Sequence, residues 1–268
     1  MRGIALLPFP VCLRHGIWLF SAHFLRQFCL TIVVGYSTIS GVGASQYVAL
    51  GTIFEDVSGG DIAVKNVVTV GDPISGTGIG AADNIWRWNT ATSTWTKYFY
   101  YKKRGEDPRW VVSTDTTYTE TSDTIPAGET FFFLRSGGAT GTTTLTLAGG
   151  VKDLTGTSSF TASASQLAFA SNPWPIALNI KNFASLYTSG EPVSGTGIGA
   201  ADQIWLWNSA SSTWTKYFYY KKRGEDPRWV VDGDTTYTET EDSIPAGVGF
   251  FFQRSGGASS AATVTFSN

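Results

Sequence analysis

The chain has 268 residues, of which 19 are Lys or Arg and 21 are Asp or Glu, giving a formal net charge of −2. Phosphate contacts need clustered basic residues, so this balance argues against a nucleic-acid partner. Both cysteines and both histidines lie before residue 45, namely Cys12, His15, His23 and Cys29. The rest of the chain therefore lacks the residues of Ser-His-Asp and Cys-His nucleophiles and of the usual zinc sites.

Residues 1–44 predict a secretory signal peptide that is cleaved after Ala44. The segment contains three arginines and no acidic residue. The arginines precede an apolar run at residues 28–34, and small and polar residues follow this run. This order is typical of signal peptides, and the run is shorter than the ~20 residues that a spanning helix needs. An uncleaved anchor is the alternative. We expect an exported mature chain without a membrane span, with 16 basic and 21 acidic residues and a net charge of −5.

A stretch of 20 residues, 93–112, returns unchanged at 212–231. Residues 72–138 align without a gap on residues 191–257, and 54 of these 67 positions are identical. Such self-similarity indicates two copies of one structural unit. We assign unit one to residues 45–165, with a Gly/Ser/Thr-rich linker at its end, and unit two to residues 166–268.

Each unit reads as a series of short strands. Clusters of Gly, Ser, Thr, Asn and Asp separate runs of aromatic and β-branched residues, which favour strands over helices. In unit one we expect strands near residues 47–54, 62–70, 84–89, 94–102, 109–112, 130–135 and 142–147. The pattern predicts an all-β protein of two tandem antiparallel β-sandwich or barrel-like units. Residues 176–186 of unit two have the spacing of a short helix.

The strand predicted at residues 94–102 carries aromatic rings on both faces. Side chains alternate along a strand, so Trp95, Phe99 and Tyr101 lie on one face and Tyr98 and Tyr100 on the other. One face must be core. The other is either a second packing surface or a binding platform.

The repeated segments resemble those of a family of exported bacterial repeat proteins from genomes of the verrucomicrobial type. The resemblance rests on the order NPWP, ADQIWLWNSASSTWTKYFYY and IPAGVGFFFQRSGG in unit two, and the IPAG-then-FFF pattern at residues 125–133 and 244–252 is its most specific part. It implies an exported β-rich surface or matrix protein, without a known activity, catalytic residue or ligand. Unit one lacks the NPWP opening.

Repeated carboxylates are the remaining candidates for catalysis. A pair of carboxylates at a suitable separation hydrolyses glycosides. The acidic residues that recur 119 positions later are Asp83, Glu106, Asp107, Asp115, Glu120 and Asp123. Solvated turn charges and turn caps are the favoured interpretation of these residues.

Asp232 and Asp234 form the one candidate metal site. Carboxylate oxygens suit calcium, and further acidic residues follow at 239–242. Unit one reads Ser113-Thr114-Asp115 at this place and so has one carboxylate fewer. A structural calcium in unit two is therefore an open alternative to a chain without cofactors.

The aromatic residues give the strongest indication of a ligand. Flat rings beside polar donors suit sugar faces, although core packing also accounts for rings. Trp86 and Trp88 share one face, which we expect to be buried, and Arg87 lies opposite, where unit two has Leu206. The predicted ligand-binding residues are Tyr98, Tyr100, Arg87, Lys97, Tyr217, Tyr219 and Lys216.

Three functions follow from these observations. The first is a non-enzymatic, structural or adhesive protein of the cell surface or extracellular matrix, with polysaccharide or cell-surface components as partners. The second is a carbohydrate-binding protein that uses exposed Trp and Tyr. The third is an extracellular glycoside hydrolase of the carboxylate type.

Overall fold

A computed structural model describes residues 4–11, 30–126, 128–151, 157–174 and 176–267. The described residues form antiparallel sheets with a few short helices, which confirms the all-β prediction. Within this part of the chain, no helix has the length and hydropathy needed to cross a membrane.

The strands of unit one, together with the residues ahead of it, are β1 (Ile4–Val11), β2 (Leu30–Val42), β3 (Tyr47–Gly51), β4 (Phe54–Glu55), β5 (Ile62–Ala63), β6 (Thr69–Val70), β7 (Asn84–Asn89), β8 (Thr94–Tyr101), β9 (Arg109–Val112), β10 (Thr124–Ile125), β11 (Thr130–Leu134) and β12 (Thr143–Val151). A short helix, α1 (Val64–Val67), and a 3-10 turn (Ile79–Ala81) complete it.

The strands of unit two are β13 (Ser158–Ala162), β14 (Leu167–Ser171), β15 (Leu178–Asn179), β16 (Tyr187–Ser189), β17 (Gln203–Asn208), β18 (Thr213–Tyr220), β19 (Arg228–Val231), β20 (Ser243–Ile244), β21 (Gly249–Gln253) and β22 (Ala262–Phe266). Its 3-10 helices span Ile180–Leu186 and Ile198–Ala200.

Each unit is a sandwich of two larger sheets and has an additional two-stranded sheet, β5-β10 in unit one and β15-β20 in unit two. The central sheet has the order β3-β11-β7-β8-β9 in unit one and β14-β21-β17-β18-β19 in unit two. The outer sheet contains β1, β2, β12, β4 and β6 in unit one and β13, β22 and β16 in unit two. The prediction of antiparallel sandwich units is therefore confirmed.

The core of each unit lies between its two sheets. In unit one, Ile85 and Phe131 of the central sheet are fully buried and pack in one cluster with Leu145 of the outer sheet. Ile85 and Phe131 lie on neighbouring strands and face the same side because side chains alternate along each strand. Burying such side chains stabilises a fold by ~1.5–3 kcal/mol each.

Several predicted elements differ from the structure. The strand expected at residues 62–70 is interrupted by α1, because Val64 and Val67 are both buried at helical spacing. The strand expected at 47–54 is divided into β3 and β4. The helix expected at residues 176–186 is a 3-10 helix that begins at Ile180. Asn179 caps its N-terminus, because the Asn179 side chain accepts a hydrogen bond from the Lys181 N–H.

The repeat extends further towards the N-terminus than the sequence alignment indicates. Gln46 and Gln166 are equivalent, since each side-chain oxygen accepts a bond from the backbone N–H three residues earlier, at 2.8 and 2.7 Å. The preceding residues pair with the outer sheet in both units, through Val42 of β2 and Ala162 of β13, which are buried. The predicted signal segment thus includes β2, while residues 1–3 and 12–29 lie outside the described residues. Cleavage after Ala44 would remove the whole of β2 from the outer sheet, and the position of cleavage stays a prediction.

The central sheets of the two units pack against each other. The outward faces of β7, β8 and β11 and of their repeats β17, β18 and β21 contribute a shared aromatic cluster: Trp86, Trp88, Trp95, Phe132, Trp205, Trp207, Trp214 and Phe251. The Trp88 indole donates to the Leu167 carbonyl and the Trp207 indole donates to the Tyr47 carbonyl, both at 2.8 Å. These matching bonds relate the units by a pseudo-two-fold axis.

Candidate functional site

The predicted tyrosine platform lies inside the units. Tyr98 is 1 % exposed and Tyr217 is 3 % exposed, and both belong to the core clusters, so of the two alternatives for this face the structure shows a packing surface. Tyr100 and Tyr219 are half-buried against the same cores. The tyrosine face of the strand packs in the core of its own unit, and on the opposite face Trp95 packs in the inter-unit cluster.

The buried tyrosines have structural hydrogen bonds. The Tyr98 hydroxyl donates to Asp123 at 2.8 Å, and the Tyr217 hydroxyl donates to Asp242 at 2.9 Å. Burial and the adjacent carboxylate raise the pKa of both phenols above the ordinary value. Each hydroxyl is therefore engaged within the fold and faces no open ligand site.

Arg87 forms an ion pair that unit two lacks. Its Nε and Nη2 donate to the two carboxylate oxygens of Glu129 at 2.7 and 3.0 Å. Unit two has Leu206 and Val248 at these two positions, so an apolar pair replaces the ionic one. The two changes compensate each other, because either charge alone would be left unpaired at a half-buried position.

Lys97 and Lys216 lie over tryptophan rings of the inter-unit cluster. The Lys97 ammonium is 3.8 Å from the ring centre of Trp86, and the Lys216 ammonium is 4.1 Å from that of Trp205. Such cation–π contacts stabilise by ~0.5–2 kcal/mol. Both lysines are half-buried and so cover the edge of the aromatic cluster.

The candidate calcium ligand Asp234 holds a loop through hydrogen bonds. Its carboxylate accepts bonds from the Thr236 N–H and hydroxyl, at 2.9 and 2.6 Å, and from the Thr238 N–H at 2.9 Å. These bonds lower the pKa of Asp234. Asp115 makes the same bonds in unit one without a counterpart of Asp232, so the loop conformation does not depend on Asp232. The described residues contain no group of three metal-ligating side chains, and the calcium site stays a prediction.

Five of the six repeated carboxylates have structural partners. Asp83 is fully buried and accepts from Arg135 at 2.7 Å. Glu106 pairs with Arg109, and Glu120 pairs with Lys65. Asp115 and Asp123 accept the loop and tyrosine bonds described above. These roles favour the interpretation of the acids as structural groups.

A cleft of about 500 Å³ opens between the units. Its walls include Arg87, Trp88, Thr96, Glu129, Ser159 and Phe160. The ion pair in its wall comes from unit one alone. The ionic part of this wall is therefore particular to one side of the pseudo-two-fold axis.

A second exposed surface occurs in both units and was not among the predicted sites. We name it the tyrosine–arginine site. In unit one it consists of Tyr101, Glu106, Arg109 and Tyr118, at the end of β8, the start of β9 and the loop that follows β9. In unit two the same residues are Tyr220, Glu225, Arg228 and Tyr237.

The tyrosine–arginine site is a stack of three flat groups. The rings of Tyr101 and Tyr118 lie 4.5 Å apart at an angle of 5°, and the Arg109 guanidinium lies 5.2 Å from the Tyr101 ring centre. Arg109 donates to the Tyr118 carbonyl at 2.8 Å and to Glu106 at 2.7 Å, which fixes its plane. Tyr101 is buried, whereas Tyr118 is 37 % exposed. The outer ring is thus held in place at the surface.

Unit two repeats this geometry closely. The rings of Tyr220 and Tyr237 lie 4.4 Å apart at 8°, and Arg228 lies 5.3 Å from the Tyr220 ring centre. Tyr237 is 36 % exposed. Together with Lys222, these residues line a shallow groove of about 550 Å³.

The backbone of the outer tyrosine is strained. Tyr118 and Tyr237 have φ angles of 56° and 52°, in the left-handed region that bulky residues rarely adopt. The bonds that Asp115 and Asp234 make to their loops hold this conformation. Strain of ~1–3 kcal/mol at an exposed side chain is typical of a site with a role beyond folding.

The loop beside the site is basic. Residues 102–109 contain four basic and two acidic side chains, and the same eight residues recur at 221–228. Lys102, Lys103 and Arg104 are exposed, and no carboxylate of the described residues lies within ion-pair distance of them. The surface is therefore locally positive in a chain whose net charge is negative. Exact repetition of this polar turn is the signal in the sequence that could have pointed to the site.

Three comparisons with known proteins give no further assignment. No family model matches the chain, and no curated protein and no solved structure is similar to it at a significant level.

Proposed function

We propose that the chain is an exported, non-enzymatic adhesive protein of the cell surface or extracellular matrix that holds its partner at two equivalent sites. The observation that carries this proposal is the repetition of the tyrosine–arginine site, with the same ring stacking, exposure and backbone strain in both units. Core packing does not require an exposed strained tyrosine. Its presence twice supports a binding role.

The arrangement of the units supports a role in cross-linking or attachment. Trp95 at one end of β8 packs in the inter-unit cluster, and Tyr101 at the other end belongs to the tyrosine–arginine site. Tyr101 lies six residue steps along the strand from Trp95, a distance of ~20 Å. The two sites therefore lie away from the shared interface, where both can contact an extended partner and gain affinity from simultaneous binding.

The composition supports the remaining parts of the proposal. The charged, apolar and small-residue order of the first 44 residues favours export. The structural partners of the repeated carboxylates favour binding over hydrolysis.

The proposal is tested in the native host. A strain that lacks the chain is compared with strains that carry the wild-type protein or the Tyr118→Asn, Tyr237→Asn double variant. We expect the wild-type protein in the surface or matrix fraction, and we expect the deletion and the double variant to lose attachment to a surface. Soluble cytoplasmic protein, or undiminished attachment of the deletion strain, would overturn the proposal.

A further inference from the structure

We propose that each tyrosine–arginine site binds a segment of an anionic polysaccharide, one whose sugar rings carry carboxylate or sulfate groups. This inference rests on the proposed adhesive function and names the partner of the same site. Ring stacking, a positive field and repetition each contribute to it.

The exposed tyrosine provides a fixed flat surface. One face of the Tyr118 ring is covered by Tyr101, and the residue is still 37 % exposed. The C–H face of a sugar ring packs on such an aromatic face, and a ring that is already fixed loses little conformational entropy on binding. The site is therefore preformed for a pyranose ring.

The basic groups beside the ring select for negative charge. Arg109 donates from Nε to the Tyr118 carbonyl, from Nη2 to Glu106 and from Nη1 to the Asp107 carbonyl at 3.5 Å, which uses three of its five N–H donors. Lys102 and Lys103 are exposed on the adjoining turn. A guanidinium and ammonium groups near one ring match a carboxylate or sulfate on the sugar that stacks there.

The repetition favours a polymer over a single small ligand. The same groove in unit two brings Lys222, Arg228 and Tyr237 together. Two sites of equal chemistry bind a repeating chain with an affinity above that of either site, by ~10²–10⁴-fold when both are engaged. A nucleic acid is the less favoured polyanion, because the whole chain carries a net charge of −2 and its basic residues cluster only at these two turns.

The test measures binding of the purified chain to immobilised polysaccharides. The panel contains polygalacturonate, dextran sulfate, neutral dextran and single-stranded DNA. We expect binding to at least one of the two anionic polysaccharides, weakened at least tenfold by high salt, and no binding to neutral dextran.

Variants assign the binding to the site. Asn tolerates the left-handed backbone, so Tyr118→Asn and Tyr237→Asn remove the rings without new strain. Each single variant should weaken binding to the polymer about 100-fold through lost avidity, and the double variant should abolish it. Lys102→Gln with Lys103→Gln should weaken binding more than Lys→Arg at both positions. Ile176→Asn, which changes a residue that is 66 % exposed outside the site, should have no effect.

The outcomes separate this inference from the proposed function. Equal binding to neutral dextran, stronger binding to DNA, or the absence of binding to both anionic polysaccharides would overturn the inference. Binding that survives the double tyrosine variant, in a chain with an unchanged unfolding midpoint, would also overturn it. Adhesion in the native host would still stand in these cases, because that test does not depend on the kind of ligand.

Discussion

Thr130 and Gly249 occupy the same position of the repeat and lie against each other in the folded chain. A Cβ atom on Gly249 would lie 1.9 Å from Cγ2 of Thr130. Gly51 and Ser171 form a second such pair, since a Cβ atom on Gly51 would lie 2.3 Å from Cβ of Ser171. Equivalent residues contact each other only beside a two-fold axis, where two identical side chains would compete for one space. Each pair therefore combines one side chain with one glycine.

The first prediction concerns this axis. Gly249→Thr places a side chain in the space of Thr130 and should lower the free energy of unfolding by ~1–3 kcal/mol, the usual cost of overpacking. Exchange of the two residues, Thr130→Gly with Gly249→Thr, should recover most of that loss. Urea denaturation of the three variants checks this. Equal stability of the single and exchanged variants would contradict the assignment of the axis.

The second prediction concerns the tyrosine face of the central sheet. Tyr98→Ala should destabilise the chain by ~3–5 kcal/mol, because it removes a buried ring and leaves Asp123 without its hydrogen bond. The exposed Tyr118→Asn change is the control and should cost far less. Chemical denaturation measures both. A similar loss for the two variants would be inconsistent with the burial of Tyr98.

The third prediction concerns alkaline pH. The pKa values of Tyr98 and Tyr217 are raised in the folded state, whereas both phenols ionise near pH 10 when the chain is unfolded. Their contribution to stability is therefore complete below pH ~10 and is lost as the pH rises towards the folded-state pKa, by at most ~1.4 kcal/mol per pH unit for each group.

Denaturation midpoints between pH 9 and 11.5 test this prediction. The wild-type chain should lose stability above pH ~10 more steeply than the Tyr98→Phe, Tyr217→Phe double variant. The phenylalanines keep the packing and remove the ionisable hydroxyls. Identical slopes for the two proteins would show that these phenols do not titrate on unfolding.

The sequence was sufficient to predict the repeat, the all-β class and the central strands. β7 and β9 have the predicted bounds, because alternating aromatic and β-branched residues favour strands wherever they are placed. The division of residues 62–70 by α1 was not predictable in this way. Its apolar spacing fits both a strand and one helical turn, and only packing in the core decides between them.

The same alternation could not identify what covers each face. It places Trp88 and Tyr98 on opposite sides of the central sheet. The residues that pack on the tryptophan side are distant in sequence, however, such as Leu167, which lies 79 positions from Trp88. The tyrosine–arginine site was missed for a similar reason. Tyr118 meets Tyr101 through a left-handed backbone that Asp115 holds, and neither the spacing nor the residue type of a tyrosine indicates such a conformation.

The fourth prediction concerns the N-terminus of the mature chain. Ile39 pairs with Leu145 and Val42 with Thr143, and the equivalent strand in unit two, β13, covers β22 in the same way. We therefore expect processing ahead of residue 39, so that the paired residues 39–42 of β2 stay in the mature chain and in the outer sheet. N-terminal sequencing of protein from the native host checks this. A mature chain that starts at Ser45 would contradict it and would leave the β2 side of β12 unpaired.

The number of ligands that one chain binds is the most direct test of whether each unit carries one tyrosine–arginine binding site. Isothermal titration with a short oligogalacturonate or a sulfated oligosaccharide, too short to span both sites, counts the sites without avidity. We expect two equivalent sites in the wild-type chain, one in the Tyr237→Asn variant and none when Tyr118→Asn is added. A single site in the wild-type chain, no binding, or two sites that persist in the double variant would contradict it.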